Sequence, residues 1–516
     1  MPTPKLALLL FAAALAPHSA NTRARSQWVY PGHSGKLNYK TLPTGDRILD
    51  FSYAGYMGGG VAFPSAPVKK TLAPSGADDT AAIQSALDEV AALPPTNGLR
   101  GTVLLKPGHF HLTGTLHFTI SGVVLRGSGS GEDGTLLEMS GDPHYAISIT
   151  GEDEITPLAS AVAVTEDYVP SGSLTLTVAD ATGLQPGDRV QITHPLTPEW
   201  VHFMGMDTLT RGGKKETWVP NDLKTERTLT AVDSHTLHFD VPLADDYDHK
   251  FLGPTGATVT KIDETGLISQ IGIEDLRITA PARKVTLNDK QFNTIEIGGA
   301  QDVWVRNLRI FDAVGAVNVR RNARRITVTQ VEITHSIPIQ GAAKPADFST
   351  DGTQTLLDRC SGTGDNVFYL ATGVGSQGPN VLLHGVFHGD GHIQPHQRWS
   401  TGLLIDSTQV PDGGIDLMNR GEMGSGHGWT MGWAVAWNNT AKSFVIQMPP
   451  GSANWSIGNT GEQQIQSMPI FDGGPKRPLL PQGFIESQDK PVAPASLYLQ
   501  QLKDRLGPQA LKNIGY

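Results

Sequence analysis

The sequence predicts an all-β chain, a right-handed parallel β-helix (β-solenoid) with an N-terminal capping helix and an inserted β-module. Three observations predict it. The first is a repeat: Ile271 to Ile278, Val303 to Ile310 and Ile326 to Ile333 align with apolar residues alternating in each run. Alternation of period two marks a strand with one buried face, and recurrence every twenty to thirty residues marks a stacked coil. The second is punctuation, with 58 Gly and 35 Pro in 516 residues and short β-runs between turn residues. The third is the low charged fraction, 17%, which disfavours a helical bundle. Further rungs are expected near Leu356, Val381, Leu403, Ala434 and Trp455.

Taken in chain order, residues 1–24 read as a signal peptide. Lys5 supplies the positive start, Leu6 to Ala16 the apolar stretch, and Ser19 and Ala20 small residues beyond it. The expected location is therefore secreted or periplasmic. Eleven apolar residues are too few to span a bilayer, and no membrane span is expected elsewhere. Residues 25–150 hold an N-terminal segment, the capping helix and the first coils. Asp79 or Thr80 is placed to cap a helix over Ala81 to Ala92, with Ile83, Leu87 and Val90 as its apolar stripe. Such a helix can plug the open end of a solenoid, which would otherwise expose its core. Short strands follow at Thr102 to Leu105, Phe110 to Leu112, Leu116 to Ile120 and Val123 to Leu125.

The helix start Asp78-Asp79-Thr80, the turn Lys106-Pro107-Gly108 and the stop Leu125-Arg126-Gly127-Ser128-Gly129 resemble the opening of the pectate-lyase superfamily of secreted right-handed parallel β-helix proteins. The resemblance implies the coil and action on a polysaccharide. It does not select a reaction, because many enzymes and some phage tailspikes share the pattern.

Residues 151–262 change periodicity. Leu174 to Val178, Gly187 to Ile192 and Thr236 to Phe239 read as an antiparallel module, interrupted by a long loop from Pro195 to Lys224 with Trp200, Phe203, Met204 and Trp218. That loop either overhangs a groove or is an idle excursion. Residues 263–465 form the main β-helix. Residues 466–516 are a tail whose Leu497, Leu499, Leu502 and Leu506 predict a short helix packed back on the coil. The single cysteine, Cys360, allows no intrachain disulfide and is expected to face into the coil.

Chemistry is concentrated between His335 and Trp455. Six of the 17 histidines lie there: His335, His384, His388, His392, His396 and His427. Stacked coils stand ~4.8 Å apart, so residues one coil apart in sequence can be neighbours in space. On that basis Asp365, Arg398 and Arg420 are expected to share one face, with His335, His396 and His427 beside them. Trp399, Trp429 and Trp433 are expected to offer flat platforms for sugar rings. His392, Asn366 and Asn419 complete the expected substrate contacts.

This inventory suits β-elimination from a uronic-acid polymer. A base removes the C5 proton, a cation neutralises the carboxylate and an acid assists the leaving oxygen. The expected catalytic residues are His396, Arg398, His335, Arg420 and His427. Hydrolysis or glycosyl transfer is the alternative, with Asp351, Asp365, Asp390, Asp416 and Glu422 as available carboxyls. A third reading is a non-catalytic glycan-binding surface protein. Asn366, Asn419, Asn438 and Asn454 also suit a structural ladder that satisfies buried backbone. Calcium enters as a candidate cofactor through Asp347, Asp351 and Asp358, although no compact acidic cluster of the pectate-lyase kind is present. No His-Glu-x-x-His zinc pattern occurs, and no metal ligand is assigned. The net charge of −10, with no concentrated basic run, excludes a nucleic-acid partner. A polysaccharide is the expected partner, and a monomer the expected state.

Overall fold

The computed structural model describes residues 23–152, 154–284, 289–338, 344–470 and 477–516. The charged and apolar stretches of the expected leader lie outside these residues. Within them the chain is a parallel β-helix, with 27 strands joined in one continuous sheet system. Each coil contributes strands to three faces. Strands Ile268–Thr279, Ala300–Phe311 and Arg324–Thr334 each run along the first face, bend, and continue along the second. Their pairing has the register read from the sequence: Ile271 beside Val303 beside Ile326, and Ile278 beside Ile310 beside Ile333. The third face stacks Tyr145–Thr150, Asn293–Gly298, Val317–Val319, Ala346–Thr350 and Phe368–Thr372 in turn.

The bend between the first two faces is made by one residue per coil with positive φ. Asp275, Asn307 and Gln330 hold φ of 58°, 53° and 54°, and Arg359, His384, Ser407 and Asn438 continue the column. The left-handed region costs an ordinary residue about 1–2 kcal/mol. Ladder hydrogen bonds offset it, as when Asn307 Nδ2 donates to Asp275 Oδ1 at 2.7 Å. Inside the bends the alternating apolar columns close on each other, and Cys360 lies among them, fully inward.

The helix Thr80–Ala91 covers the first coils with Ile83, Ala86, Leu87 and Val90. Asp79 stands at the N-cap, as expected, but its side chain makes no cap hydrogen bond. Asp78 accepts from Thr80 N and Thr113 N, while Asp79 turns away to accept from Ser75 N and His111 N, tying the helix to the first coil.

Several rungs on the first face are apolar on both sides, including Val381-Leu382-Leu383 and Leu403-Leu404-Ile405. The reason is a second layer. Val29, Ile48, Leu49 and Phe51 from the N-terminal segment, with Leu497, Tyr498 and Leu502 from the helix Leu497–Leu506, cover its outer surface. Gln501 fixes the two ends to each other, donating to Leu49 O and accepting from Phe51 N.

Asparagines satisfy backbone inside the coil, as a ladder should. Asn439 accepts from Thr408 N at 2.8 Å and donates to Ile405 O at 2.9 Å; Asn459 one coil on accepts from Asn439 N and donates to Ala436 O. Asn439→Leu leaves a buried donor and acceptor without partners, at about 1–3 kcal/mol each. The expected result is a lowered urea midpoint with secondary structure intact at zero denaturant. An unchanged midpoint would show that the ladder contributes nothing.

The insertion leaves the coil after Tyr145–Thr150 and forms a seven-stranded sheet with antiparallel pairing from Thr156–Pro157 to Thr258–Asp263. It lies back along the stack, so residues far apart in sequence meet across a seam. Arg227 Nη2 donates to Gly378 O at 3.0 Å, and Trp218 Nε1 to Trp429 O at 3.1 Å. The long loop is not idle. It carries the helix Pro198–Phe203, and Trp200, Met204, Met206, Leu209 and Trp218 form one apolar cluster with Trp399 and Trp429.

Candidate functional site

At the end of the third face, where each coil turns back toward the first, four of the expected residues converge. Arg420 Nη1 donates to both His396 Nδ1 (2.9 Å) and His396 O (2.8 Å). The His396 and His427 rings stand 4.7 Å apart. Arg398 joins them through its backbone N–H, which donates to His427 O at 3.1 Å, and through Nη2, which donates to Ser425. The stacking argument applies here: His396 and Arg420 are one coil apart and occupy matching turn positions.

A bulge builds the floor of this site. Register shifts between Phe368 and Leu370, so Tyr369 and Leu370 both enter the core while Phe368 leaves it. Bulges re-aim side chains in this way. The Phe368 ring lies 5.3 Å from the Arg420 guanidinium and edge-on to His396 at 5.1 Å. Sequence reasoning missed Phe368 as a site residue. Its signal was present, since Val367-Phe368-Tyr369-Leu370 cannot all face inward in an alternating strand.

Arg420 is 7% exposed, and neither it nor Arg398 makes an ion pair among the described residues, although Asp416 acts on Arg420 and Glu216 on Arg398 from farther off. Arg420 Nε, Arg398 Nε and His427 Nδ1 are buried without hydrogen-bond partners. Burial, then the neighbouring Arg420 charge, pushes both His396 and His427 down to about 3 from the ordinary 6.5. Burial also lowers Arg420 to about 10. Because Arg420 can only donate, His396 Nδ1 must accept, which leaves the proton of the neutral ring on Nε2. His427 needs a bare neighbour: a Cβ at Gly424, whose φ is 61°, would fall 2.0 Å from its Nε2.

These depressed values set a pH dependence. Below pH 6.5 the unfolded chain takes up protons that the folded histidines refuse, so stability present above 6.5 is lost as pH falls toward 3. Wild-type protein should lose more stability between pH 7 and 4.5 than His427→Gln does. Equal losses in urea titrations at both pH values would refute the depressed histidine.

The other expected residues lie elsewhere. His335 and Asp365 occupy the opposite end of the third face, at the turn from the second, because residues stack only where their turns match. There His335 Nε2 meets Asp347 Oδ1 at 2.8 Å inside the coil, and Asp365 accepts from Asp390 N. Asn366 at the same turn donates its N–H to Asp390. His392 stands nearer, with Nδ1 2.7 Å from Asp416 Oδ2, which also accepts from Gln394. Asn419 is buried and shapes the turn, accepting from Gly421 N.

Trp399, Trp429 and Trp433 are not open platforms; all three are buried. Their indole N–H groups donate to Asp245, to Met204 O and to Asp246, so they fasten the insertion to the coil. The candidate calcium ligands also separate: Asp347 meets His335, Asp358 meets Arg359, and Asp351 lies at the far end of its strand. Among the described residues no three His, Cys, Asp or Glu side chains group to hold a metal ion. Asp347, Asp351 and Asp358 therefore do not assemble into a calcium site.

Fold and site together define a parallel β-helix with a turn cluster of two arginines, without ion-pair contact among the described residues, lined by histidines held toward the uncharged form. No protein-family model matches the chain, and no curated protein sequence matches it. Among solved structures it is similar to the tailspike protein gp49 from Pseudomonas phage LKA1, at 14% identity over 75% of this chain and 69% of that one, with a TM-score of 0.37. It is also similar to the tailspike protein of E. coli bacteriophage HK620 in complex with pentasaccharide, at 9% identity over 87% of this chain, with a TM-score of 0.39. The chain spans 62% of the length of that second protein.

Proposed function

We propose that the protein is a secreted or periplasmic enzyme that cleaves a uronic-acid-containing polysaccharide by β-elimination at the His396–Arg420–His427 cluster. One observation carries the reading: two guanidinium groups lie partly or wholly buried beside two uncharged histidines, with no carboxylate of the protein in ion-pair contact. Buried cations are normally paired, so this arrangement asks for an anionic ligand. A uronate carboxylate matches the forked donors of Arg420 and Arg398.

In this reading the two arginines draw charge from the carboxylate and acidify C5. With the substrate carboxylate offsetting the Arg420 charge that depresses it, the neutral imidazole of His427 becomes a stronger base and takes the C5 proton. The electron pair forms the C4–C5 double bond, and the C4–O bond breaks. His396 Nε2–H donates to the departing oxygen. That oxygen ends protonated, by the proton held on His427 or by water. Hydrolysis by paired carboxylates has less support at this turn, because Asp416 is engaged by His392 and Gln394, and Glu422 lies beside Arg477.

The test is incubation of the protein with a panel of uronate polysaccharides, following absorbance near 235 nm for the unsaturated product. New reducing ends without that absorbance would establish hydrolysis and end the lyase reading. Retention of polymer with neither signal would make the protein a binder.

A further inference from the structure

Along the same seam, on the coils just before the cationic cluster, lies a cavity of about 330 Å³ between the insertion and the coil. Its walls include Lys224, Glu226 and Arg227 from the insertion, and Arg324, Asp351 and Gln377 from successive coils. Most of its charges are already spent. Glu264 pairs with Arg189 and Arg324 at 2.7 Å each, Glu226 accepts from Gln191, and Arg227 donates to backbone carbonyls. Lys224 is exposed and makes no ion pair among the described residues, and two further groups are left over. Gln377 is 5% exposed, and its Nε2 has no hydrogen-bond partner. Asp351 makes no ion pair among the described residues, although Arg320 and Arg321 are near enough to act on it.

A buried amide donor without an acceptor costs about 1–3 kcal/mol, so a ligand in this cavity that brings an acceptor to it is favoured. The ligand should also be uncharged. The lining carries both signs of charge, with Lys224, Arg227, Arg321 and Arg324 beside Glu226, Glu264 and Asp351, so repulsion does not choose the ligand. The hydrogen-bonding pattern does, because a sugar hydroxyl both accepts from Gln377 and donates to Asp351, and a carboxylate can only accept. Burial raises Asp351 above the ordinary carboxylate range, in keeping with a site built for neutral groups.

The cavity adjoins the cationic cluster directly. Gly375 N donates to Arg398 O at 3.1 Å, and Ser400 Oγ donates to Gly373 O at 2.8 Å, so the cavity floor and the cluster belong to adjoining coils. One coil advances ~4.8 Å, close to the length of one sugar residue. We infer that this cavity is a subsite for a neutral, hydroxyl-rich sugar residue of the same polymer whose uronate lies at Arg420, so that the substrate is a heteropolysaccharide mixing acidic and neutral sugars. This rests on the reading of the Arg420 cluster as a uronate site.

The experiment measures binding by calorimetry of three hexasaccharides: alternating glucuronate and N-acetylglucosamine, alternating galacturonate and rhamnose, and uniform galacturonate. Free glucuronate is the reference. At least one alternating hexasaccharide should bind about tenfold or more tighter than the uniform one. In Asp351→Asn and Gln377→Met, both near-isosteric, the ratio of hexasaccharide to glucuronate affinity should fall about tenfold, with melting temperatures confirming the fold. An unchanged ratio in both variants, or equal or tighter binding of the uniform hexasaccharide, overturns the subsite. Absence of any binding by wild type overturns it as well. Arg420→Met separates the two readings: it should weaken free glucuronate and hexasaccharide alike. If it weakens neither, the uronate site is wrong; if it does while the ratio in the Asp351 and Gln377 variants holds, only the neutral subsite is wrong.

Discussion

Arg420→Met is expected to lower kcat/KM on a cleaved uronate polymer by about 100- to 1,000-fold, the range seen when one preorganised donor to developing charge is removed. The loss should not be a folding effect. Arg420 Nη1 supports only His396, through its ring and carbonyl, and no carboxylate depends on the guanidinium as an ion-pair partner. Methionine keeps the contact with Phe368, where the cation lies 5.3 Å from the ring. Removal of the charge also releases both histidines from one cause of their depression, so each should titrate at higher pH than in the wild type. The pH–rate profile of the residual activity should therefore gain an acidic limb that the parent lacks. A variant with wild-type kcat/KM would dismiss the cluster as scaffold. Arg420→Lys restores charge without the fork and should recover only part of the rate.

The largest stability effect is expected at Trp399. Trp399→Ala should cost about 3–5 kcal/mol, the usual range for emptying a large buried aromatic site. Trp399 packs edge-on to Trp200 and Trp218 and donates to Asp245 at 2.9 Å, so the cavity would open between insertion and coil. Tryptic cleavage at Arg211, Lys214 or Lys215, all in the overhanging loop, should accelerate before global unfolding. Trp399→Phe keeps the bulk and removes only the N–H, and should cost less. Burial raises Asp245 toward about 7, and the indole hydrogen bond opposes that rise. A raised acid gives stability that is lost as pH rises through its folded value, so the phenylalanine variant should shift that loss to higher pH. Proteolysis unchanged in the alanine variant would show that the tryptophan does not hold the loop.

How much of this was legible in the sequence depended on distance along the chain. The register of Ile271, Val303 and Ile326 could be read because both partners in each pair obey the same local alternation. The meeting of His396 with Arg420 could be read because their coils have matching turns. His335 and Asp365 were grouped with them on spacing alone, and spacing does not say which of three turns a residue occupies. The tryptophans were misjudged for another reason. What covers Trp399 is Trp200 and Trp218, contributed by an insertion roughly 200 residues upstream, and no local pattern announces that cover. The two-sided burial of Leu403-Leu404-Ile405 was hidden likewise, by a layer drawn from both ends of the chain.

That layer has a consequence for the order in which the chain can mature. Ala24 pairs with Val492, Ser26 and Gln27 donate to Glu486, and Tyr498 donates to Ala54 O. The strands of the coils between hydrogen-bond only to their neighbours, so each ladder can form as its coil emerges. The segment up to Phe51 cannot complete its contacts so early, because the partners that close it, Glu486, Val492 and the helix Leu497–Leu506, are made last. At about 5–20 residues per second, the more than 400 intervening residues take roughly 20–90 s to synthesise. Through that interval Val29, Ile48, Leu49 and Phe51 can meet the coil rungs at Leu356, Val381, Leu383 and Leu404 but lack the cover of Leu497, Tyr498 and Leu502. The early segment behaves as a latch held open by timing, and the molecule becomes resistant to unravelling only when translation has delivered both halves.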